Sequence, residues 1–366
     1  MGRQHQVRRQ KSRAEQIAFL KAHGETDESI AALLAHSQAD QIQAAEQTAS
    51  VGPEPVSKPK AIYRLRNWSE YNQSLVQRGN ITIWFDEESI EAWCAKPDPD
   101  KPGAPFIYSD TALLCALTIK EVFRLPLRQT EGFVTSLVSL LALALPVPDY
   151  STLSRRAKTL DVPLPRKERD EPVHLVVDST GLKVFGEGEW KVRQHGWVKR
   201  RTWRKLHLAV DAKTGEILAQ VLTSKDVGDH QMLRPLLEQV DEVLSYVSAD
   251  GAYDTTDCYG AIEAREALPL IPPDTDARDW GSDGARDQVV RRVNEIGRKA
   301  WKEESGYHQR SLAETAMFRM KTVFGPKLSA RTEERQQTEA AVRCRALNRM
   351  TSLGMPQTYL FQCAQG

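Results

Sequence analysis

The chain has 366 residues, of which 40% are hydrophobic and 27% charged, and its net charge is +1. That length allows two or three domains with a real core, and the near-zero charge means that any nucleic-acid surface must be local rather than global. The five cysteines, Cys94, Cys115, Cys258, Cys344 and Cys363, are odd in number and contain no C-x-x-C pair. That spacing argues against a zinc site and a disulfide framework, and it suits a reducing cytoplasm.

Residues 1–60 are expected to form a polar N-terminal extension and linker. Arg3, Arg8, Arg9, Lys11 and Arg13 precede the first acid, Glu15. Helices are expected near residues 15–23 and 27–46, followed by a proline-marked linker through Pro53, Pro55 and Pro59. A DNA-contacting arm, a partner-binding helix and a disordered extension all fit this composition. The first thirty residues are polar and basic, so no signal peptide is expected. The longest apolar stretch, residues 133–145, is too short to span a bilayer and predicts a buried helix.

Residues 61–165 predict a mainly helical region with one short strand at 81–85. Asp110 is placed to cap a helix running to Phe123. A helix over 128–145 stops before Pro146 and Pro148, and Ser151 is placed to cap a second helix carrying Arg155 and Arg156. Helix, turn and basic helix fit a helix-turn-helix that enters a major groove. A plain helical hairpin in the core fits equally well, because the turn is rich in proline rather than glycine.

Residues 166–355 change character. Apolar runs at 174–178 and 243–250 predict strands, and the segments 205–211 and 216–223 alternate about a Lys213-Thr214-Gly215 turn, as a hairpin does. A helix over 230–240 capped by Asp229, a helix over 259–267, a strand at 268–271, a loop over 272–287 and a long helix including 310–323 complete the order. That order is the one of the ribonuclease H-like fold, an α/β class with a mixed five-stranded sheet flanked by helices. Its first and fourth strands lie side by side. Residues 356–366 are left as a C-terminal tail.

Three carboxylates stand out within this frame. Asp178 ends the run HLVVDSTG, Asp250 ends YVSADGAYD, and Glu314 lies in the helical segment YHQRSLAETAMFRMK. A carboxylate ending so apolar a run must be paired or metal-bound. Two strand-end aspartates and a helical glutamate can meet at one sheet edge and hold two divalent cations for phosphodiester chemistry. Gly251 gives the backbone freedom to turn beside Asp250. Tyr307, Arg310, Glu314 and Lys321 follow the offsets three, four and seven, which puts them on one helical stripe. Arg310 can grip a phosphate bidentately, and Tyr307 can stack on a base or donate to a phosphate. An exposed helix carrying ordinary ion pairs has the same spacing. Lys191, Arg193, Lys199, Arg200, Arg201, Arg204 and Lys205 form an acid-free basic run interleaved with Trp190, Trp197 and Trp203. Such a run neutralises phosphates or is merely a solvated loop. Asp211 suits its hairpin turn, Asp254 and Asp257 suit turns or caps, and His207 suits a packed strand face. His195, His207, His230 and His308 lack zinc-ligand spacing.

These residues carry a resemblance. VVDSTGLKVFGEGEW, KRRTWRKLHLAVDAKTGEI, Asp250-Gly251-Ala252 with Tyr253 and Asp254, the Tyr-Arg-Glu-Lys helix and the upstream block RNWSEYNQSLVQRGNITIWFDEESIEAW resemble a DDE transposase of a bacterial insertion sequence. The group is the one typified by insertion sequence five. The likeness runs from about Tyr63 to about Met355. It implies that Asp178, Asp250 and Glu314 are the catalytic, metal-holding triad, with Mg²⁺ as the cofactor and Mn²⁺ as a substitute. It implies that Tyr307, Arg310 and Lys321 are accessory DNA-binding residues and favours terminal-repeat recognition by the helices carrying Arg155 and Arg156, while the basic run with Lys199, Arg200, Arg201, Arg204 and Lys205 is expected to bind DNA through its charge. The expected partners are the element's terminal inverted repeats and target DNA. The chain is expected in the cytoplasm, on the nucleoid when DNA-bound, as a homo-oligomer of at least two copies, with no membrane contact. A nuclease of the same fold that only cuts, and a DNA-binding regulator with inert carboxylates, remain open.

Overall fold

The computed structural model describes residues 62–96, 107–167, 169–184, 203–279 and 281–361. Two compact units are present: residues 1–64 with 360–366, and residues 65–359. Of the first, only parts of the short strands β1 (Ile62–Leu65) and β8 (Thr358–Phe361) are described. The helices expected at 15–23 and 27–46, and the linker, lie outside the described residues.

The second unit begins with helices. α1 (Trp68–Gln77) and α2 (Glu87–Glu91) precede α3 (Asp110–Val122), α4 (Leu127–Leu140) and α5 (Tyr150–Arg156). The expected strand at 81–85 is instead a 3₁₀ turn over Ile81–Ile83, because the Asn80 side chain accepts from the Thr82 amide and starts a turn. Two caps also differ from expectation by one or two residues. Ser109, not Asp110, caps α3 by accepting from the Ala112 amide. Asp149, not Ser151, caps α5 by accepting from the Ser151 and Thr152 amides.

α4 is amphipathic rather than wholly buried. Thr130, Val134 and Val138 face inward at four-residue spacing, while Leu140 is 84% exposed. α4 and α5 form a hairpin joined by residues 141–149, and Val138, Leu153, Ala157 and Leu160 go into the core.

The sheet follows. β2 (Val173–Val184), β3 (Trp203–Asp211), β4 (Ile217–Ser224), β5 (Leu244–Ser248) and β6 (Leu268–Leu270) stand in the order β4-β3-β2-β5-β6. β3 runs antiparallel to both of its neighbours, β2 and β4, whereas β5 pairs parallel with β2 and β6 parallel with β5. The expected adjacency of the first and fourth strands holds, since β2 pairs with β5. A sixth, two-residue strand β7 (Lys327–Leu328) adds parallel to the far end of β2, so the sheet exceeds the five strands expected. The β3–β4 turn is built by Asp211, which accepts from the Lys213 amide, and by Gly215 at φ 73°, where a side chain would be strained.

Helices cover both faces. α6 (Leu233–Leu237) and α7 (Thr256–Glu263) pack on the side of Leu175, Val177 and Ala209. The helix expected over 230–240 is split: Asp229–Met232 is a 3₁₀ turn capped at Gly228, and Asp229 itself lies inside it. α8 (Ala285–Ile296) and α9 (Arg298–Glu304) lead into α10 (Ser311–Phe324) and the long α11 (Glu333–Ser352). α10 and α11 lie on the face of Val176, Leu206 and Leu208. That core also takes Trp93, Leu113 and Val134 from the N-terminal helices, so helices and sheet share one apolar interior. Each such fully buried side chain contributes about 1.5–3 kcal/mol of transfer free energy. No described helix is long and apolar enough to cross a membrane.

Candidate functional site

β2 is the element on which the site is built. Asp178 follows the buried Leu175, Val176 and Val177 and opens the partly buried stretch that runs to Gly181. Strand alternation puts Val176, Asp178, Thr180 and Leu182 on the face covered by α10. The Asp178 carboxylate is largely buried; its Oδ1 accepts from the Ser179 amide at 2.8 Å. Its Oδ2 accepts from Arg310 Nη1 at 2.9 Å, and the other Arg310 amino group bonds Glu314. One guanidinium thus spans a strand carboxylate and a helical one.

Asp250 lies two residues past the end of β5, the strand next to β2. Its Oδ1 accepts from the Ala252 amide at 3.0 Å and so starts the 3₁₀ turn Gly251–Tyr253. Gly251 has an ordinary φ, and a Cβ there would meet only the Pro272 carbonyl at 3.6 Å, so the freedom expected of it is not used. The three carboxylates feel one another. Burial raises the Asp178 carboxyl above its ordinary range; the Arg310 charge opposes this, and the charges of Asp250 and Glu314 add to it. Tyr307 is pushed up to about 12 by burial, and it too senses Arg310, Asp250, Asp178 and Glu314.

The accessory residues come together, with one correction. Tyr307 and Arg310 belong to a 3₁₀ turn, Tyr307–Arg310, that precedes α10; they are not on the same α-helix as Glu314 and Lys321. The Tyr307 ring is buried against Trp301 and lies beneath Lys302 and Arg310, with the guanidinium carbon 6.0 Å from its centroid. A base cannot stack on a ring so placed, and Tyr307 instead supports Arg310. Lys321, two turns after Glu314, donates to the Thr180 hydroxyl of β2.

Three oxygen-bearing carboxylates are the donor chemistry that a hard divalent cation takes. Among the described residues no three His, Cys, Asp or Glu side chains are gathered tightly enough to enclose a metal as they stand. Arg310 is the positive charge between Asp178 and Glu314, and Glu314 is 57% exposed, free to turn. The donor chemistry suits such a cation, but as placed the carboxylates do not enclose one, and Arg310 lies between two of them.

Other expected contacts are placed elsewhere. Lys199, Arg200 and Arg201, with Lys191, Arg193, Trp190, Trp197 and His195, lie outside the described residues. Arg204 bonds Gln336 and Glu333 of α11, and Lys205 bonds Asp229 and the Val227 carbonyl. Both are tied into the fold rather than offered to a polyanion. Arg156 pairs with Asp110 and bonds the Tyr108 carbonyl, and so fastens α5 to the start of α3. Arg155 is exposed and bonds Thr152 in its own helix. Trp203 packs over Gly181, with the Lys183 ammonium 5.3 Å from its ring centroid. Asp254 pairs with Arg286 and accepts from the Asp274 amide, a structural role. His207 is fully buried on its strand, as expected. Phe318, which the sequence does not single out, is 70% exposed on α10 between Glu314 and Lys321. Its place in the apolar run Ala316-Met317-Phe318 hid it.

Two family models match the chain, each described as a transposase DDE domain: one over residues 76–187 and the other over residues 169–349. These matches support a DDE transposase, an enzyme class that cuts and joins nucleic-acid strands. Among solved structures, the piggyBac transposase synaptic complex with hairpin DNA aligns over 75% of this chain and 75% of its own, at 10% identity and a TM-score of 0.31. A likeness that loose carries no argument about this site.

Proposed function

We propose that this chain, matched to transposase DDE domains from residue 76 to residue 349, is the transposase of a bacterial insertion sequence of the group typified by insertion sequence five. It binds the element's terminal inverted repeats, cuts the strands there and transfers the freed ends to target DNA. Residues 166–355 form the ribonuclease H-like catalytic part, and residues 61–165, with Lys199, Arg200 and Arg201 of the basic run, contact DNA. What supports the reading is that Arg310 bridges the Asp178 and Glu314 carboxylates, while Asp250 follows β5, the strand next to the one that carries Asp178.

Asp178, Asp250 and Glu314 would hold Mg²⁺, or Mn²⁺ in its place. Divalent cations there supply activation of a water or 3′-hydroxyl and stabilisation of the leaving 3′-oxygen. Arg310 has a charged partner whichever state the site is in: the carboxylates without DNA, and a phosphate oxygen pair with it. The Tyr307 ring, packed on Trp301, lies under the Arg310 guanidinium and limits where it can point. Lys321, anchored on Thr180, sets a second positive charge along the same helix face for a neighbouring phosphate. Two element ends must be paired, so a homo-oligomer of at least two copies acts, in the cytoplasm.

The test is incubation with DNA carrying the flanking ends of the element, with and without Mg²⁺. Cleaved and joined products that require the metal are expected, and Asp178→Asn, Asp250→Asn or Glu314→Gln should each reduce them to background while sparing DNA binding. Cleavage without joining would identify a nuclease. Binding without cleavage would identify a regulator.

A further inference from the structure

α10 turns nearly all of its apolar residues inward. Ala313, Ala316, Met317, Met320 and Phe324 are buried against the sheet and α11. Phe318 is the exception, with 70% of its surface in water. A lone exposed aromatic is ordinary in soluble proteins, so exposure by itself says nothing. Its position does. Phe318 is four residues after Glu314 and three before Lys321, so the three side chains occupy neighbouring turns of one helix face. Arg310 stands at the start of the same stripe. The ring is therefore flanked by a carboxylate assigned to the chemistry and by two cations, one of them held on Thr180 of the strand that carries Asp178.

A purely apolar partner would have to strip water from Arg310, Glu314 and Lys321 to reach this ring, which is costly. A polyanion with flat apolar faces meets no such penalty: its phosphates answer the cations and its base answers the phenyl ring. Inside a duplex both faces of a base are already covered, so a base must be unpaired to offer one. The ring is also presented by a fourteen-residue helix whose opposite face is locked in the core, so little side-chain freedom is lost on contact.

We infer that Phe318 is a stacking platform for one unpaired nucleobase beside the scissile phosphate. The inference rests on the proposed transposase reading and deepens it: the protein recognises an opened rather than a fully paired DNA end.

The experiment uses the full chain and two probes, a short forked duplex with 2-aminopurine at its first unpaired position and the same duplex fully paired. Affinity is read by anisotropy, and stacking by 2-aminopurine quenching, without divalent metal. Wild-type protein should bind the fork more tightly and quench the probe. Phe318→Ala should lose about tenfold in affinity for the fork, together with the quenching, while its affinity for the paired duplex stays unchanged. Phe318→Trp should retain both. An exposed position leaves folding intact, which the melting temperature of each variant checks. Retained quenching and fork affinity in Phe318→Ala would overturn the inference, as would a Phe318→Leu variant that behaves as wild type, since that would mean burial without stacking. A wild-type protein that binds neither probe would remove the DNA reading itself, and this inference with it.

Discussion

Arg343 and Arg310 each stand between two carboxylates, and their two settings differ sharply in burial. Arg343 of α11 bonds Glu121 of α3 at 2.7 Å and Glu339 one turn earlier, and all three side chains are 4–6% exposed. Glu121 is also paired with Lys120, and Glu339 accepts from the Ser329 and Ala330 amides. Burial raises the Glu121 carboxyl, but Lys120 and Arg343 more than compensate and hold it below its ordinary range. Every charge there has a fixed partner. At the β2–β5 edge, Arg310 and Glu314 face water, and Asp178 is held above its ordinary range despite the arginine. The first set is saturated and so fixes helix against helix. The second shares one guanidinium between two carboxylates and leaves one of them, Glu314, largely in water.

That contrast can be broken at its buried end first. Arg343→Met keeps length but strands Glu121 and Glu339 without their shared cation, so a loss of about 3–5 kcal/mol in urea unfolding is expected. A loss under about 1 kcal/mol would show that the network is not the structural tie described.

The buried imidazoles sharpen the same point through pH. Burial pushes both His207 and His174 below the ordinary 6.5, against nearby acids that would raise them. The unfolded chain therefore takes up protons that the folded chain resists. Their contribution to stability is complete above about pH 6.5 and is lost as pH falls through that value toward the folded pKa values, with a slope of at most about 1.4 kcal/mol per pH unit for each group. His207→Gln should flatten the slope of unfolding free energy between pH 7 and the acid limb. An unchanged slope would contradict the assignment for His207.

The smallest effect on stability belongs to the open end. Arg310→Ala should cost less in unfolding than Arg343→Met, because Arg310 and Glu314 keep more of their side chains in water than the Arg343 set does, yet it should depress single-turnover cleavage of end DNA. Arg310→Lys should recover little, since a point charge cannot reproduce a two-pronged grip. Near wild-type cleavage in both variants would reduce Arg310 to a surface pair.

Much of this was legible in the sequence because it rests on local periodicity. The apolar runs before Asp178 and Asp250 and the alternating hairpin became β2, β5, β3 and β4. What was not legible depends on partners far along the chain. β2 continues past Asp178 to Val184 through the polar Ser179 and Thr180, because β3 pairs with it residue by residue, and no side-chain pattern announces that. Arg204 and Lys205 belong to a basic run on paper, but Glu333, Gln336 and Asp229 claim them in space. Arg310 has helical spacing to Glu314, which could be read, whereas its bond to Asp178 spans 132 positions and could not. Caps slipped by one or two residues where two good capping side chains stand close together, as Ser109 and Asp110 do.

The central claim is that Asp178, Asp250 and Glu314 form one cation site that Arg310 fills in the absence of metal. Mn²⁺ titration followed by electron paramagnetic resonance tests it without DNA or turnover. Saturable binding is expected for the wild-type chain, weaker binding for Asp178→Asn and Glu314→Gln, and tighter binding for Arg310→Gln, whose competing charge is gone. Equal Mn²⁺ affinity in the wild-type, Asp178→Asn and Arg310→Gln chains would contradict the account.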